Sequence, residues 1–342
     1  MNFLPVTSRL RARLISPLPL LEIAEEVCEL EPGSTFECPP PISLPGELDR
    51  VTAFEGEAKA QIKRLHERTR VEGPTLSYRL PNAILADFTV YCGDRYRVFR
   101  PGHKRAVLFG AADEFEQAQL CTTSCAESYF GHFLREALPL ELLAKQREMS
   151  PLGFRRQPWL HENEYRRLLH MESSHSRYAR VANLWITDER TLNSGWVSRY
   201  EELRARLRAS TTPAGGEPVF IRRGVLGDAR NLQNEDELCD NLTRLGFRII
   251  TPEAISAEDI AGALLNSRLV VCVEGSAQQH AFLAMPSGGA IVSIQPPRRF
   301  NTIAKIIADR IGVQFVFHVA EETGDGFRVD FGRLQKTLDL IQ

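Results

Sequence analysis

The chain has 342 residues, more than one ordinary domain needs and enough for about two at roughly 150 residues each. Its composition, 43% hydrophobic and 25% charged, excludes a disordered chain, and its net charge of −2 excludes an overall attraction to nucleic acid or anionic lipid. The mean hydropathy is −0.23 and no uncharged apolar run approaches the roughly 20 residues that span a membrane, so we expect a soluble protein without a nucleic-acid partner.

The N-terminal stretch is basic and interrupted by prolines. Three arginines at 9–13 precede a short apolar segment, 15–21, that contains two prolines. A signal peptide needs a longer apolar core, and the seven scattered cysteines favour free thiols in a reducing compartment. We therefore expect a mature cytoplasmic start. Peripheral contact with a membrane, through residues 9–13 or 155–180, is an open alternative to solvated surface, and the oligomeric state is open.

The first half of the chain has mixed patterns. Residues 1–75 are irregular and proline-rich, and we expect them to pack on an N-terminal α/β domain formed by residues 76–210. We predict strands over 83–91, 95–99, 105–109 and 181–186, and helices over 55–70, 129–147 and 194–209. Pro139 predicts a kink or a break inside the second of these helices.

The second half begins after a linker at 211–217, Thr-Thr-Pro-Ala-Gly-Gly-Glu. We predict strands over 218–221, 247–250, 269–273, 290–294 and 313–317, and helices over 234–245, 256–265, 277–285 and 301–311. Short apolar strands alternating with helices predict a doubly wound parallel sheet, here a Rossmann-like domain over 218–342. The C-terminal helix either belongs to this domain or packs on the N-terminal domain.

Two helices of this domain begin with a predicted capping box. Asn234 is followed three residues later by Glu237, and Ser256 is followed by Asp259 at the same spacing. In this motif the first side chain accepts a hydrogen bond from the backbone of the first turn.

The loop 222–233 is the first candidate site, because ligands of doubly wound sheets bind outside the carboxyl ends of the strands. It contains Arg222, Arg223 and Arg230, and arginine binds phosphate with two parallel hydrogen bonds. The start of the following helix adds partial positive charge. We interpret the loop as a phosphate site, and the alternative is an ordinary solvated loop.

The loop after the third strand of this domain is the second candidate. Glu274, Gly275 and Ser276 lead into a helix, an arrangement that can bind an anion, although Ser276 can also be a simple helix cap. Glu274 and His280 form a candidate acid/base or sugar-binding pair, and the alternative for His280 is a buried core histidine. Without GxGxxG or GxxxxGK[ST], we expect no dinucleotide or Walker-type site and no cofactor.

The third candidate is a histidine and a glutamate at helical spacing. His132 and Glu136 are four residues apart and lie on one helix face. A carboxylate beside a histidine holds it in one tautomer and suits it to act as a general base. The alternative is a pair that only stabilises the helix start. The sequence offers no third ligand to this pair, so we expect no metal.

Taken together and in this order, the three stretches resemble glycosyltransferase family 61, a family of bacterial capsule clusters. The resemblance covers roughly residues 125–295. Many relatives have His-Gly-Ala where this chain has Glu274-Gly275-Ser276. The residues that match the family's motifs are Tyr129, Gly131, His132, Phe133 and Pro139, then Arg222, Arg223, Arg230, Asn234, Glu235 and Glu237, then Gly246, Phe247, Pro252 and Glu253, and finally Gly275, Ser276, Ala277, Phe282 and Pro286.

The resemblance implies a GT-B fold, in which two Rossmann-like domains face each other across a cleft and the C-terminal one holds a nucleotide-sugar. It implies inverting, metal-independent transfer to a glycan or lipid-linked acceptor in capsule or surface polysaccharide biosynthesis. Under this resemblance the donor-binding residues are Arg223 and Arg230 with Arg222 in reserve, Gly275 and Ser276, and, for ribose or sugar hydroxyls, Asn234 and Glu235.

His132, with Glu136 behind it, is the first candidate for the base that deprotonates the acceptor, and Glu274 and His280 are second choices. Two alternatives to this function are open. One is a catalytically silent relative that binds a sugar nucleotide or glycan as an assembly partner, motivated by Glu274 in place of the usual histidine. The other is an epimerase with two Rossmann-like domains.

Overall fold

The computed structural model describes residues 20–101, 112–188, 191–224 and 231–341. The predicted strand over 105–109 lies outside these residues. The described chain divides into two units. Unit 1 takes its residues from Met1–Ser34, Glu72–Trp159 and His170–Tyr200, and unit 2 takes its residues from Thr35–Val71, Leu160–Leu169 and Glu201–Gln342.

The strands and helices are numbered in chain order. The strands are β1 (Glu26–Glu31), β2 (Ser34–Glu37), β3 (Thr69–Glu72), β4 (Thr75–Ala86), β5 (Thr89–Cys92), β6 (Arg95–Val98), β7 (Asp113–Leu120), β8 (Ser150–Phe154), β9 (Ser174–Ser176), β10 (Tyr178–Thr187), β11 (Val219–Ile221), β12 (Arg248–Ile250), β13 (Leu269–Val273), β14 (Ala290–Gln295), β15 (Gln314–Val319), β16 (Glu321–Thr323) and β17 (Gly326–Arg328). The helices are α1 (Ala58–His66), α2 (Phe130–His132, Phe133–Ala137 and Leu138–Gln146 in succession), α3 (Glu162–Leu168), α4 (Ser194–Ser210), α5 (Glu235–Arg244), α6 (Ala257–Leu264), α7 (Gln278–Ala284), α8 (Ile303–Arg310) and α9 (Phe331–Leu338).

Unit 1 is built on an eight-stranded mixed sheet in the order β6-β5-β4-β10-β7-β8-β9, with β1 paired to β4. The neighbours β10, β7, β8 and β9 are parallel, whereas β4 runs antiparallel to β10, β5 and β1. Leu80, Leu85 and Leu184 from these strands lie in one apolar cluster of fully buried side chains. The α/β class predicted for this part of the chain is confirmed.

The strand predicted over 83–91 is in fact two strands, β4 and β5, joined by a tight turn at Asp87 and Phe88. Both residues have positive φ, 43° and 59°, as a two-residue hairpin turn requires. The single-strand prediction was wrong because the turn lacks the glycine or asparagine that normally marks this geometry.

Helix α2 contains the break that Pro139 predicts. Its middle segment, Phe133–Ala137, is a π-helical turn, and the regular helix resumes with Pro139 in its first turn. Proline cannot donate a backbone hydrogen bond and its ring crowds the carbonyl four residues earlier, so the preceding turn widens. His132 lies directly before this widened turn, and such turns occur frequently at functional sites.

Unit 2 is built on a five-stranded sheet in the order β12-β11-β13-β14-β15, and every neighbouring pair is parallel. The strand order reverses between β11 and β13, which we call the switch point. Leu238 and Leu242 of α5 and Leu334 of α9 cover one face of the sheet. Helix α7 packs against α6 and α8. The connections between the parallel strands are right-handed, which places these three helices on the other face of the sheet. The doubly wound parallel sheet is therefore confirmed.

Residues 35–71 belong to unit 2, whereas the sequence predicted that residues 1–75 would pack on the N-terminal domain. The backbone of Ile42 donates to Phe315 O and accepts from Phe317 N, both at 3.0 Å. Strand β15 lies at the edge of its sheet and has backbone groups that need partners, and Ile42 supplies them. Gln61 of α1 also accepts from the backbone N–H of Thr302 at 2.8 Å.

The two predicted capping boxes have different outcomes. Ser256 Oγ accepts from Asp259 N at 3.0 Å and caps α6, as predicted. Asn234 precedes α5 but its side chain does not cap the helix. Its amide instead pairs with the backbone of Val329, with both hydrogen bonds at 3.0 Å, because the chain after β17 passes close enough to compete.

No helix in the described part of the chain combines the length and the apolar character needed to cross a lipid bilayer.

Candidate functional site

In unit 1, the predicted pair His132–Glu136 forms at the start of α2. His132 Nδ1 lies 2.5 Å from Glu136 Oε1, and the two side chains are 25% and 13% exposed. An ionised carboxylate can only accept hydrogen bonds, so the proton of this contact is on Nδ1. Nε2 is then the ring nitrogen with a lone pair, in a side chain that solvent reaches.

Glu136 is held in its charged form. Burial alone would raise its pKa, but the hydrogen bond and charge of His132, the charge of Arg135 and a hydrogen bond from Thr123 outweigh burial and lower the pKa. Thr123 Oγ1 donates to Glu136 Oε2 and accepts from the backbone of Ala126 at 3.0 Å. The loop after β7 therefore positions the carboxylate of Glu136, and this carboxylate in turn positions His132.

Arg135 is a third member of this cluster that the sequence reasoning missed. Its Nη2 lies 3.0 Å from both ring nitrogens of His132, and its Nε lies 3.3 Å from Glu136 Oε1. The backbone carbonyl of Arg135 accepts from Trp196 Nε1 at 2.9 Å, which anchors this turn to α4.

In unit 2, the loops after β11 and β13 lie at the carboxyl ends of the two strands that flank the switch point. In sheets of this order, ligands bind at that place. Of the donor-binding residues expected from the sequence, Arg222 and Arg223 lie in the first loop, Gly275 and Ser276 lie in the second, and Asn234 and Glu235 lie at the start of α5. Arg230 is outside the described residues.

Arg222 is engaged with carboxylates. Its Nη2 lies 2.5 Å from Asp236 Oδ1 and its Nε lies 3.5 Å from Glu235 Oε2. Burial would lower its pKa, but the neighbouring thiol of Cys239 and these two acids raise it. Acidic residues in the first turn of α5 also offset the positive end of the helix. A phosphate would therefore compete with two carboxylates for Arg222.

Arg223 and Gly224 bring the backbone of the first loop close to the residues that follow it. Arg223 N donates to Glu235 Oε1 at 2.6 Å. Gly224 has a φ of 64°, and a Cβ there would lie 2.0 Å from a carboxylate oxygen of Glu253. The positive φ favours glycine at this position, and the Glu253 side chain would have to move to admit a Cβ. The Asn234 side chain is hydrogen-bonded to the backbone of Val329, and the Glu235 carboxylate accepts from the backbone N–H of Arg223. Both candidates for binding sugar hydroxyls therefore already have partners.

Glu274 lies at the end of β13 and is only 4% exposed. Its backbone N–H extends the ladder to Ile294 O at 2.8 Å. Its carboxylate accepts from Asn301 Nδ2 at 3.0 Å and lies 3.7 Å from Arg299 Nε. Arg299 also pairs with Glu55 at 2.8 Å. The carboxylate is therefore fixed by residues that follow β14.

Gly275 and Ser276 form the turn between Glu274 and α7. Gly275 has a φ of 144°, a backbone conformation that side chains disfavour. The residue before α7 is Ala277, and it supplies no side-chain cap. Ser276 is thus not the helix cap, which was one alternative for it.

His280 is a core histidine, the other alternative raised from the sequence. It is 2% exposed, and its Nδ1 lies 2.6 Å from the hydroxyl of Tyr165 on α3. Burial, helped by the charge of nearby His161, lowers its pKa from 6.5 to about 3. His280 therefore stays neutral at physiological pH, and its contacts favour a structural role over acid/base chemistry.

Several residues of these sites could have been found by simple rules. Arg135 is three residues from His132 and so shares its helix face. Arg299 and Asn301 follow β14, whose carboxyl end adjoins that of β13. Thr123 carries no signal, because its contact with Glu136 depends on the path of the loop after β7.

The comparisons with known proteins can be set beside this geometry. Residues 130–292 match the family model described as Glycosyltransferase 61. The match begins at the first residue of α2 and ends in β14, so it includes the His132–Glu136 pair and the loops after β11 and β13. No curated protein matches the chain.

Over residues 130–292, this match supports a glycosyltransferase, an enzyme that transfers sugars, of family 61.

Proposed function

We propose that the protein transfers a sugar from a nucleotide-sugar donor to a hydroxyl of a glycan or lipid-linked acceptor. The transfer is inverting, needs no metal ion and serves bacterial capsule or surface polysaccharide synthesis. The observation that carries the proposal is the partly exposed His132, whose Nδ1 lies 2.5 Å from Glu136 Oε1, which leaves Nε2 as the ring nitrogen that takes the proton.

In the proposed reaction, His132 Nε2 takes the proton of the acceptor hydroxyl. The acceptor oxygen then forms a bond to the anomeric carbon of the donor sugar, while the bond from that carbon to the nucleotide phosphate breaks on the opposite side. This single displacement inverts the anomeric centre. Glu136 stabilises the imidazolium that forms, and Arg135 remains bonded to the carboxylate when the acceptor occupies Nε2.

The departing nucleotide carries negative charge that side chains must stabilise. We assign this role to Arg223 and Arg230, with Arg222 in reserve because Asp236 and Glu235 already engage it. Gly275 and Ser276 border the same switch point and would supply backbone and hydroxyl donors. Glu274 is kept as the second choice of base, and its low exposure argues against that role.

The GT-B arrangement, the cytoplasmic location and peripheral contact with the inner membrane stay predictions. So does the identity of the donor.

The experiment that tests the proposal is a screen of UDP-, GDP-, CMP- and dTDP-sugars. A ligand that binds only the folded protein stabilises it by about 2.7 kcal/mol at a hundredfold excess over Kd, which a thermal-shift assay detects. Donors that bind are then incubated with the enzyme and oligosaccharide or lipid-linked acceptors, and free nucleotide is quantified. Release of nucleotide with a new glycosidic product is expected. Tight binding without turnover of any donor would favour the silent relative, and an isomerised nucleotide-sugar would favour the epimerase.

A further inference from the structure

The side chain of Gln279 has a buried oxygen whose hydrogen-bonding capacity is not used within the described protein. Gln279 is the second residue of α7 and is 4% exposed. Its Oε1 is buried and accepts no hydrogen bond from any described residue. A buried acceptor that lacks a donor loses its hydration without compensation, so native proteins rarely keep one that has no use.

The neighbouring Gln278 shows that packing of this helix does not by itself leave glutamines unsatisfied. Gln278 is 2% exposed, and its Nε2 donates to Ser293 Oγ on β14 at 2.6 Å. The two residues are adjacent and chemically identical. The amide of Gln278 is hydrogen-bonded to the sheet, whereas the amide of Gln279 has an acceptor without a donor in the described chain. Of these two adjacent amides, only that of Gln279 keeps an unmet acceptor among the described residues.

The position of Gln279 connects it with the loop after β13. Side chains of a helix lean toward its N-terminal end, and that end of α7 is the turn formed by Gly275 and Ser276. This turn follows Glu274 at the switch point, where ligands of such sheets bind. Gln279 thus lies in the first turn of the helix that follows the loop which the proposed function assigns to the donor.

The chemistry of the unmet atom indicates the part of the donor it would bind. A carbonyl oxygen needs a partner that donates hydrogen, and an ionised diphosphate has none to offer. The carboxylate of Glu274, at the start of the same loop, likewise can accept hydrogen bonds from hydroxyls. A sugar ring presents several hydroxyl donors.

We propose that Gln279 Oε1 accepts a hydrogen bond from a hydroxyl of the donor's sugar and so contributes to the choice of sugar. The inference rests on the proposed function, because it requires a nucleotide-sugar at the switch point. A site that pairs a substrate hydroxyl with a buried protein group disfavours analogues that lack this hydroxyl, since the group is then left unpaired.

The test compares Gln279→Leu with the matched control Gln278→Leu. In the free protein, Gln279→Leu removes an unsatisfied acceptor and should leave Tm unchanged or raised, whereas Gln278→Leu breaks the bond to Ser293 and should lower Tm. Both variants and the wild type are then titrated with UDP, GDP, CMP and dTDP and with UDP-glucose, UDP-N-acetylglucosamine, GDP-mannose, dTDP-glucose and CMP-N-acetylneuraminic acid. Gln279→Met is a second variant of similar length in case the leucine does not fold.

For the nucleotide-sugar that the wild type binds, Gln279→Leu should weaken binding about 10-fold, the scale of one hydrogen bond, and leave affinity for the free nucleotide unchanged. Gln278→Leu should preserve both affinities. Equal affinity of Gln279→Leu and wild type for the nucleotide-sugar would overturn the inference and leave the proposed function intact. A parallel loss for the free nucleotide, or a fall in Tm as large as that of Gln278→Leu, would also overturn it. A wild type that binds none of these compounds would contradict the proposed function itself.

Discussion

Replacing Glu136 by glutamine removes the charge next to His132 and keeps the shape of the side chain. The carboxylate accepts from His132 Nδ1 and Arg135 Nε through one oxygen and from Thr123 through the other. Glutamine offers only one accepting oxygen, so its NH2 group must face a donor on one side. Glu136→Gln therefore loses at least one charge-assisted hydrogen bond.

The expected loss of unfolding free energy is about 1.5–3 kcal/mol at pH 7, the scale of one hydrogen bond to a charged group. The folded pKa of Glu136 lies below its usual 4.5, so its stabilising contribution is complete above pH 4.5 and disappears as the pH falls through the folded value. The difference between wild type and variant should therefore shrink below pH 4.5. Because His132 also loses the partner that fixes its tautomer, we expect transfer to fall by about 100-fold.

Urea denaturation of both proteins at several pH values between 7 and 3 measures the first effect, and nucleotide release measures the second. Donor affinity serves as the control, because Glu136 lies in unit 1 and the donor is assigned to unit 2. Equal stability at pH 7, or a stability difference that persists unchanged at pH 3, would refute the account of this carboxylate.

The other predictions concern unit 2. The folded pKa of His280 is lowered from 6.5 to about 3, so unfolding takes up a proton between these values and wild-type stability falls as the pH drops below 6.5. His280→Gln should reduce this dependence by about 1.4 kcal/mol per pH unit, and identical slopes in denaturation experiments would contradict a neutral core histidine. Arg223→Ala and Arg230→Ala should each weaken donor binding by roughly 1.5–3 kcal/mol, as measured by calorimetry. Arg222→Ala should cost less, and an effect as large as that of Arg223→Ala would show that Arg222 leaves its carboxylates to bind the donor.

The fold of unit 2 could be predicted because its signals are local. The strand predicted at 269–273 is β13 without change of bounds, since an apolar β-branched run ends sharply at both sides. The place of residues 35–71 could not be predicted. It depends on backbone hydrogen bonds between Ile42 and Phe315 or Phe317, which are more than 270 positions away in the chain and carry no pattern of residue types.

In the candidate site, too, only the contacts between residues close in sequence could be predicted. His132 and Glu136 meet because residues four apart on a helix are neighbours, whatever the rest of the protein does. The position of His280 could not be decided from the sequence, since its partner Tyr165 is 115 residues earlier in the chain. Arg222 is an intermediate case, because the acids at the start of α5 are visible in the sequence but their preference for this arginine depends on the path of the loop.

The most direct test of the central claim is to replace His132 by alanine and measure transfer and donor affinity on the same preparation. If His132 is the base, nucleotide release with the acceptor should fall by about 100-fold or more, while the Kd for the donor stays close to that of the wild type. Normal transfer by His132→Ala would contradict the account, because the base would then be another residue.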